Sequence, residues 1–483
     1  MIKSRDRTAF FKPMLFICAF AVTFSSCKKN DPPDIPSTPS GLVGGDIGNY
    51  YFTSSATDPD SDSVSIQFDW GDGEISNWSL FAGSGDSVIM QHSYIDTGIY
   101  PIRAKAKDIN EAESDWSGEH VLNISRNVLW AKTYGGAKDD FANCVQITTD
   151  GYYVIAGYTT SYGAGGEDMY LLKVDQSGNV IWEKTFGSGD DDRAYGIALT
   201  QDGGYIIVGG TYSFGSGDQD VYLVKTDGSG NQIWGQTYGG TADDMGYSVV
   251  AATDGGYVIA GVSLSFGNSQ QFYLIKTNTT GDTVWTRTYG GTLLECAYSL
   301  DKTSDDGYII TGYTTSFGAG GGDVYLVKTN ANGDTLWTRT IGTTAWDRGN
   351  SVEQTSDGGY IIGAGNGNVY LIKTNASGQV SWEKFFGNFS GNHDDYGYSA
   401  IQTLDGGYAI AGKTWSTVGT YSDAYVVKTD AGGTMEWQWV SNGFHIDGGN
   451  SIKQNGDGTY IIAGFWHMVS TGWYDVYLVK MKP

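Results

Sequence analysis

The sequence predicts an all-β protein whose larger part is a seven-bladed β-propeller with 1+3 strand closure, preceded by a small β-sandwich. Three observations carry this. Glycine accounts for 71 of 483 residues and aromatic residues for 14%, in alternating Tyr, Val and Ile patterns broken by Gly and Asp. That is the composition of many short strands and tight turns. Seven tryptophans, Trp130, Trp182, Trp234, Trp285, Trp337, Trp382 and Trp437, recur mostly 52 residues apart, each marking a unit with room for four strands. The repeat region opens with a lone strand-like segment, residues 127–134, and stops after residues 474–481, one strand short of a full unit. The first segment can supply that missing strand, and closing the ring removes the exposed edges of an open array. Outside the N-terminus no long stretch has helical periodicity.

The N-terminus reads as an export signal. Lys3, Arg5, Arg7 and Lys12 precede an apolar core, residues 14–24, too short to span a bilayer comfortably. "FSSC" (24–27) then places two small residues before Cys27 and resembles a bacterial lipoprotein signal, with Phe24 where leucine is usual. The resemblance implies a signal peptide over 1–26, lipid attachment at Cys27, and anchorage in the envelope of a Gram-negative bacterium, at the outer membrane or cell surface. Residues 27–41 carry Pro32, Pro33, Pro36 and Pro39 and are expected to form a disordered tether. Cys144 and Cys296 fall at different repeat positions and are not expected to pair. A formal net charge of −25 argues against a nucleic-acid partner. It favours solubility, with cations or basic groups as the partners it would attract.

Residues 42–125 are the small domain. "SVSIQFDWGDG" (63–73) is an alternating strand running into a Gly/Asp turn, and "HSYIDTGIYPIRAKAKD" (92–108) is a turn followed by a second strand. Through "WGDG" and the H-x-Y-x-x-x-G-x-Y spacing of His92, Tyr94, Gly98 and Tyr100, the segment resembles the PKD domain. That resemblance implies an Ig-like sandwich used as a spacer or adhesion module. Asp58, Asp60 and Asp62 have the spacing of a Ca²⁺ loop. Ser63 stands where such a loop needs glycine and no helices flank it, so a solvated turn is the reading.

Within residues 127–483 each copy runs roughly W-x-K-T-x-G-G, an acidic residue, a strand, D-G-G-Y-I-I-x-G, a Gly-rich loop, D-V-Y-L-V-K-T, and a G-N or G-D turn. The D-G-G-Y turn suits a hairpin, since Asp and Gly accept the positive φ it needs. We name the strands of a unit A to D, from the centre outward. The copies resemble the bacterial SBBP β-propeller repeat, which speaks for the fold and says little about activity.

Features present in every copy are most simply structural. An acid precedes strand A throughout: Asp140, Asp192, Asp244, Glu295, Asp347, Asp395 and Asp447. These seven would ring one mouth of the channel, where an oxygen-lined site suits Ca²⁺. The competing reading, which seven occurrences favour, is that each accepts backbone N–H groups in its own turn or beside the adjacent blade. Lys173, Lys225, Lys276, Lys328, Lys373, Lys428 and Lys480 close the C strands as solubilising or ion-pairing groups.

Features present once need another reason. The B-to-C loop of the fifth copy is seven residues shorter than that of the fourth, leaving a notch on the face that also carries the D-to-A loops. Beside it, "KTWSTVGTYSD" (413–423) brings Trp415 and Tyr421, and "FWHMVSTGWYD" (465–475) brings Trp466, His467 and Trp473. His445 lies just before Asp447, and Trp346 enters the top of the fifth copy. Flat rings next to Asp and His suit stacking on a sugar or gripping a peptide. Space-filling around the closing blade is the alternative. His393, His445 and His467 match no metal-ligand spacing.

No H-E-x-x-H occurs, and the Gly runs lie in β loops without a following helix, so they make poor phosphate cradles. The expectation is a non-catalytic recognition or adhesion protein. Its partner would be a glycan or a surface protein, and it would need no cofactor unless Ca²⁺ fills the ring. The alternatives are a carbohydrate-active enzyme, hydrolase or lyase, using acids on the same face, and a purely structural envelope scaffold.

Overall fold

A computed structural model of the protein describes residues 30–41, 44–45, 48–124, 127–267, 269–387, 395–415, 422–441, 446–468 and 472–483. Every regular element among the described residues is a strand. The signal segment and Cys27 lie outside them.

The N-terminal part holds a four-stranded sheet and a two-stranded one. The first contains Gly44–Gly45, Val64–Asp69, Gly98–Asp108 and His120–Ile124; the second pairs Gly48–Ser55 with Ser87–Tyr94. They share a core of Tyr50, Phe52, Ile66, Phe68, Trp70, Tyr94, Ile102 and Leu122. The residues of the sequence motif assemble around Trp70. Its carbonyl accepts from the Tyr94 hydroxyl at 2.8 Å, and its ring stacks on Phe68 and His92. Asp58 organises its turn by accepting from the backbone N–H groups of Asp60 and Asp62.

Residues 30–41 correct the expectation of a disordered tether. Asp34, Ser37 and Ser40 donate backbone N–H groups to Thr57, Ser55 and Thr53. Pro33, Pro36 and Pro39 are buried while their neighbours are exposed. A three-residue period is that of an extended polyproline-like strand, so the prolines that suggested a free tether instead face one surface and lie against the domain.

Seven four-stranded antiparallel sheets follow, each packed on the next in a propeller-like repeat. In the second sheet, strand B (Tyr205–Thr211) and strand C (Asp220–Thr226) are buried along their whole length. Strand D (Gln232–Tyr238) is largely exposed at its start. B and C are therefore covered on both faces by neighbouring sheets, which is why they read as unbroken apolar runs rather than alternating ones. The seventh sheet is completed from the far end of the repeat region. Trp473–Met481 pairs with Val128–Tyr134, from Val476 opposite Tyr134 to Met481 opposite Val128. One buried cluster joins Ile155 and Leu172 of the first sheet to Ile461, Ala463 and Leu478 of the last.

Strand A of each sheet touches strand A of the next, and Asp447–Gln454 touches Asp140–Ile147. A serine repeats this junction. Ser248, Ser299, Ser351 and Ser399 accept backbone N–H groups from Leu300, Val352, Ala400 and Ile452 of the following strand, and Ser451 accepts from Val145. Asn143, Asn350 and Asn450 add amide donors to the carbonyls of Ala194, Gly397 and Ala142.

Each A strand bulges at its fourth residue, as between Ala194 and Gly196. The bulged backbone presses on strand B, where a Cβ at Gly209 would sit 1.7 Å from the Arg193 carbonyl oxygen. This is why the B strands close on glycine. On the outer side, six of the repeated tryptophans lie 5.5–6.3 Å from the tyrosine that opens strand B of the next sheet, from Trp130 on Tyr153 to Trp437 on Tyr460.

The C-strand lysines are not surface groups. Lys225, Lys276, Lys328, Lys373 and Lys428 are at most 5% exposed. Each pairs with the aspartate of its own D-G-G-type turn at 2.8–2.9 Å and also donates to the next residue's carbonyl.

Candidate functional site

The seven acids at the start of the A strands are buried. Asp140, Asp192, Asp244, Glu295 and Asp347 accept backbone N–H groups from Gly136, Ser188, Gly240, Gly291 and Thr343 of their own loops. Asp395 accepts from the Trp415 N–H and Asp447 from the Ser441 hydroxyl. Among the described residues no group of three or more acid, His or Cys side chains is arranged to hold a metal ion.

These acids have a second partner that the sequence reading missed. For four of them an aspartate at or near the start of strand C of the preceding sheet comes close: Asp168 faces Asp192, Asp220 faces Asp244, Asp323 faces Asp347, and Asp475 faces Asp140. A Cβ on Gly239, at the end of strand D between one such pair, would lie 1.8 Å from Asp220 Oδ1 and 2.8 Å from Asp244 Oδ2. Two facing buried carboxylates resist ionising together. Burial first, and then the facing aspartate, raises the carboxyls of Asp168, Asp323 and Asp475. For Asp447, burial and Asp423 push it up to about 8. At the third junction Gln271 replaces the aspartate, and its amide donates directly to Glu295 at 3.0 Å. The amide supplies the hydrogen that a protonated aspartate would have to supply elsewhere.

The aromatic stretch of the last copy is not a loop. Strand B runs Tyr460–Met468 and strand C Trp473–Met481, so Trp466 pairs with Asp475, His467 with Tyr474 and Met468 with Trp473. Strand alternation divides the rings. Trp466 turns to Tyr477 at 5.0 Å and packs on the buried cluster shared with the sixth sheet. His467 and Phe465 turn to the other side, with Tyr474 and Phe141. Trp473 is 44% exposed. Trp415 ends its B strand opposite Ser422 and is half-buried. Tyr421, His445 and His393 lie outside the described residues. Trp346 is 51% exposed and leans on the fourth sheet, 5.3 Å from Tyr313. The contacts of Trp346 are thus with the fourth sheet, and those of Trp466 and His467 with the sixth, seventh and first.

The shortened loop is present: Tyr360–Gly365 and Val369–Thr374 are joined by three residues. Next to it lies a group of side chains on the A strands that the sequence reading did not single out. The bulged fourth residue is tyrosine in four copies. Tyr195, Tyr247 and Tyr298 form a continuous wall, with ring centroids 5.1 and 5.2 Å apart. The residue directly following the acid at the start of strand A is cationic in two copies. Arg193 lies over Tyr158 at 5.6 Å and Arg348 over Tyr298 at 5.0 Å. Lys413, opposite Tyr396 in the sixth sheet, lies over that ring at 5.0 Å. Burial pushes the Tyr398 and Tyr158 hydroxyls up to about 12, against the lowering influence of Arg348 and Arg193 respectively. The signal was available in the sequence: the fourth residue, counted from the acid that opens each A strand, is Asn or Tyr in all seven copies.

Cys144 and Cys296 are both free, and burial pushes the Cys296 thiol up to about 12. No protein-family model and no curated protein matches the chain. Among solved structures, the chain is similar to the PKD domain of an M14-like peptidase from Thermoplasmatales archaeon SCGC AB-540-F20. The identity is 38%, over 20% of this chain and 100% of that one, with a TM-score of 0.19. A protein of unknown function from Bacteroides caccae matches at 13% identity, over 58% of this chain and 92% of that one, with a TM-score of 0.38. Chaetomium thermophilum Sqt1, bound to the N-terminus of the ribosomal protein L10, matches at 12% identity, over 94% and 100%, with a TM-score of 0.42.

Proposed function

We propose that this protein is an envelope-anchored lipoprotein that recognises a glycan or another surface protein without catalysis. In this reading Cys27 carries the lipid, the PKD-like Ig-type domain is a spacer, and the seven sheets are the blades of one closed SBBP-type propeller. The binding face carries the D-to-A and B-to-C loops, in the sector of the fifth to seventh blades.

The observation that carries the reading is the exposure of Trp346 and Trp473, at 51% and 44%, at repeat positions where sister copies place smaller or polar residues. Half-exposed indoles are what a sugar ring or an apolar side chain would cover. The enzyme reading is weaker, because the seven A-strand acids on that face are buried and hydrogen-bonded within their own loops.

The test uses residues 30–483 as a soluble protein on a glycan array and against envelope extracts. Binding that falls at least about tenfold in Trp473→Ala or Trp346→Ala supports recognition on this face. Failure to bind any glycan or extract component favours the scaffold, and release of sugar products would establish the enzyme.

A further inference from the structure

Two arginines occupy the same repeat position, and the protein treats them differently. Arg193 and Arg348 each directly follow the acid at the start of strand A and lie opposite Gly210 and Gly365 of strand B. Arg193 is neutralised. Its Nε donates to Glu167, and its Nη2 lies 3.4 Å from Asp191. Glu167 immediately precedes the aspartate that opens strand C of the first copy, and Asp191 immediately precedes the one that opens strand A of the second. The residues at those places around Arg348 are Gly322 and Trp346. Both carboxylates have been removed.

Nothing else replaces them among the described residues. Arg348 makes no ion pair and no hydrogen bond there; its neighbours are rings. Its guanidinium lies over Tyr298, 5.0 Å from the ring centroid. Tyr313 and Trp346 continue the same wall, 6.1 Å from Tyr298 and 5.3 Å from each other respectively. The Trp346 ring covers Gly322, whose Cβ position would be 2.9 Å from it. Beyond Gly365, opposite Arg348, the Cβ position meets the Tyr396 ring at 3.0 Å, a further ring and not a carboxylate. In the second sheet the longer loop instead brings Gln219 to within 2.8 Å of the Cβ position of Gly210. A half-buried guanidinium with no counter-charge among the described residues is costly, and it is conspicuous in a chain of net charge −25.

We infer that Arg348 binds the carboxylate of an acidic sugar residue, which takes the place that Glu167 and Asp191 fill at Arg193, while the sugar ring lies against Trp346. This rests on the proposed function and names its ligand class. A planar guanidinium matches a carboxylate in bidentate geometry, and a flat indole at the rim matches a pyranose face. The ligand is a single terminal acidic sugar rather than a long polyanion. The overall acidic surface repels extended polyanions, whereas within the notch charges beyond about 8 Å are screened at physiological salt.

The test is calorimetric titration of residues 30–483 with galacturonic acid trisaccharide, the matching neutral galactose trisaccharide, and a short glutamate peptide. The uronic trisaccharide should bind and the neutral one should bind at least about tenfold more weakly. Arg348→Gln should remove that preference, Arg348→Lys should recover part of it, and Trp346→Ala should weaken both sugars. Unchanged melting of each variant separates binding from folding. Equal binding of both sugars, unaffected by Arg348→Gln, overturns the inference and leaves glycan recognition standing. Binding of the glutamate peptide alone, lost in Arg348→Gln, assigns the site to acidic peptides and overturns the sugar class. No binding of any probe to the folded protein overturns the inference, and the array experiment above then decides whether the wider reading survives.

Discussion

The facing aspartates make a prediction of unusual sign. Asp447 is raised to about 8 from 3.8, first by burial and then by the charge of Asp423. Its folded-state pKa lies above its unfolded value, so the native protein holds this proton more tightly. The contribution to stability is fully present below about pH 4 and is lost as the pH rises towards 8. Each tenfold gain in proton affinity is worth about 1.4 kcal/mol, so the rise to about 8 sets a ceiling of about 6 kcal/mol. Asp423→Asn leaves the burial and removes the second cause, for which about 1–2 kcal/mol is reasonable. The substitution copies the third junction, where Gln271 already donates to Glu295. Thermal unfolding followed by circular dichroism should show variant and wild type alike at pH 5. At pH 8 the variant should melt higher, by about 2–4 °C. Asp475→Asn, opposite Asp140, should repeat the effect, since burial and Asp140 raise its carboxyl in the same way. A variant that melts lower than wild type by the same amount at both pH values would refute the reasoning.

Other predictions follow from the same frame. Burial opposes ionisation of Asp202, Asp305, Asp357 and Asp405, but lysine and threonine hydrogen bonds outweigh it and hold them at about 2. Their contribution is present above about pH 4 and lost as the pH falls towards 2. Because these carboxylates are more than half exposed, Asp405→Asn should cost only about 0.5–1 kcal/mol in urea unfolding at pH 7, and less at pH 3. Gly209→Ala should cost more than about 3 kcal/mol or abolish soluble expression, since its Cβ meets the Arg193 carbonyl oxygen. Trp466→Ala should lower stability by about 2–4 kcal/mol, while Trp473→Ala should stay within about 0.5 kcal/mol in the same melts. Similar losses for both would contradict the packing of Trp466 on the core and the exposure of Trp473 at the strand end.

How far the sequence could be read depended on whether a residue's role is local. The turns, the repeat spacing and the missing fourth strand are local patterns, and the observed sheets follow them. Trp130 pairs with Lys480 across 350 positions because the unit counts leave it no other partner. The C-strand lysines read as solubilising or ion-pairing strand ends; the ion pairs are there, and only the packed neighbours show that the lysines are buried over a turn aspartate. The acidic residues before strand A were visible, but their partners stand at or near the start of strand C of the preceding copy, and only the packing of sheets brings the two together. Trp466 and Trp473 looked equivalent as two indoles in one Gly-rich loop. The hairpin extends through them, and the two share a face; Trp466 packs on the core within it, while Trp473 stands at the exposed start of its strand. Arg348 escaped notice for another reason. What distinguishes it from Arg193 is the loss of two carboxylates, Glu167 and Asp191, that stand far from it in sequence order. The prolines of residues 30–41 misled because their burial period shows only against the domain surface.

All of the loop neighbourhoods above depend on the two ends of the repeat region sharing one sheet. Amide hydrogen exchange followed by mass spectrometry tests this most directly, on peptides covering Val128–Tyr134 and Trp473–Met481. The account predicts that both segments exchange slowly and together, at the rate of buried strands such as Tyr205–Thr211. Exchange of Val128–Tyr134 within seconds, while Tyr205–Thr211 stays protected, would contradict the closure and with it the binding face.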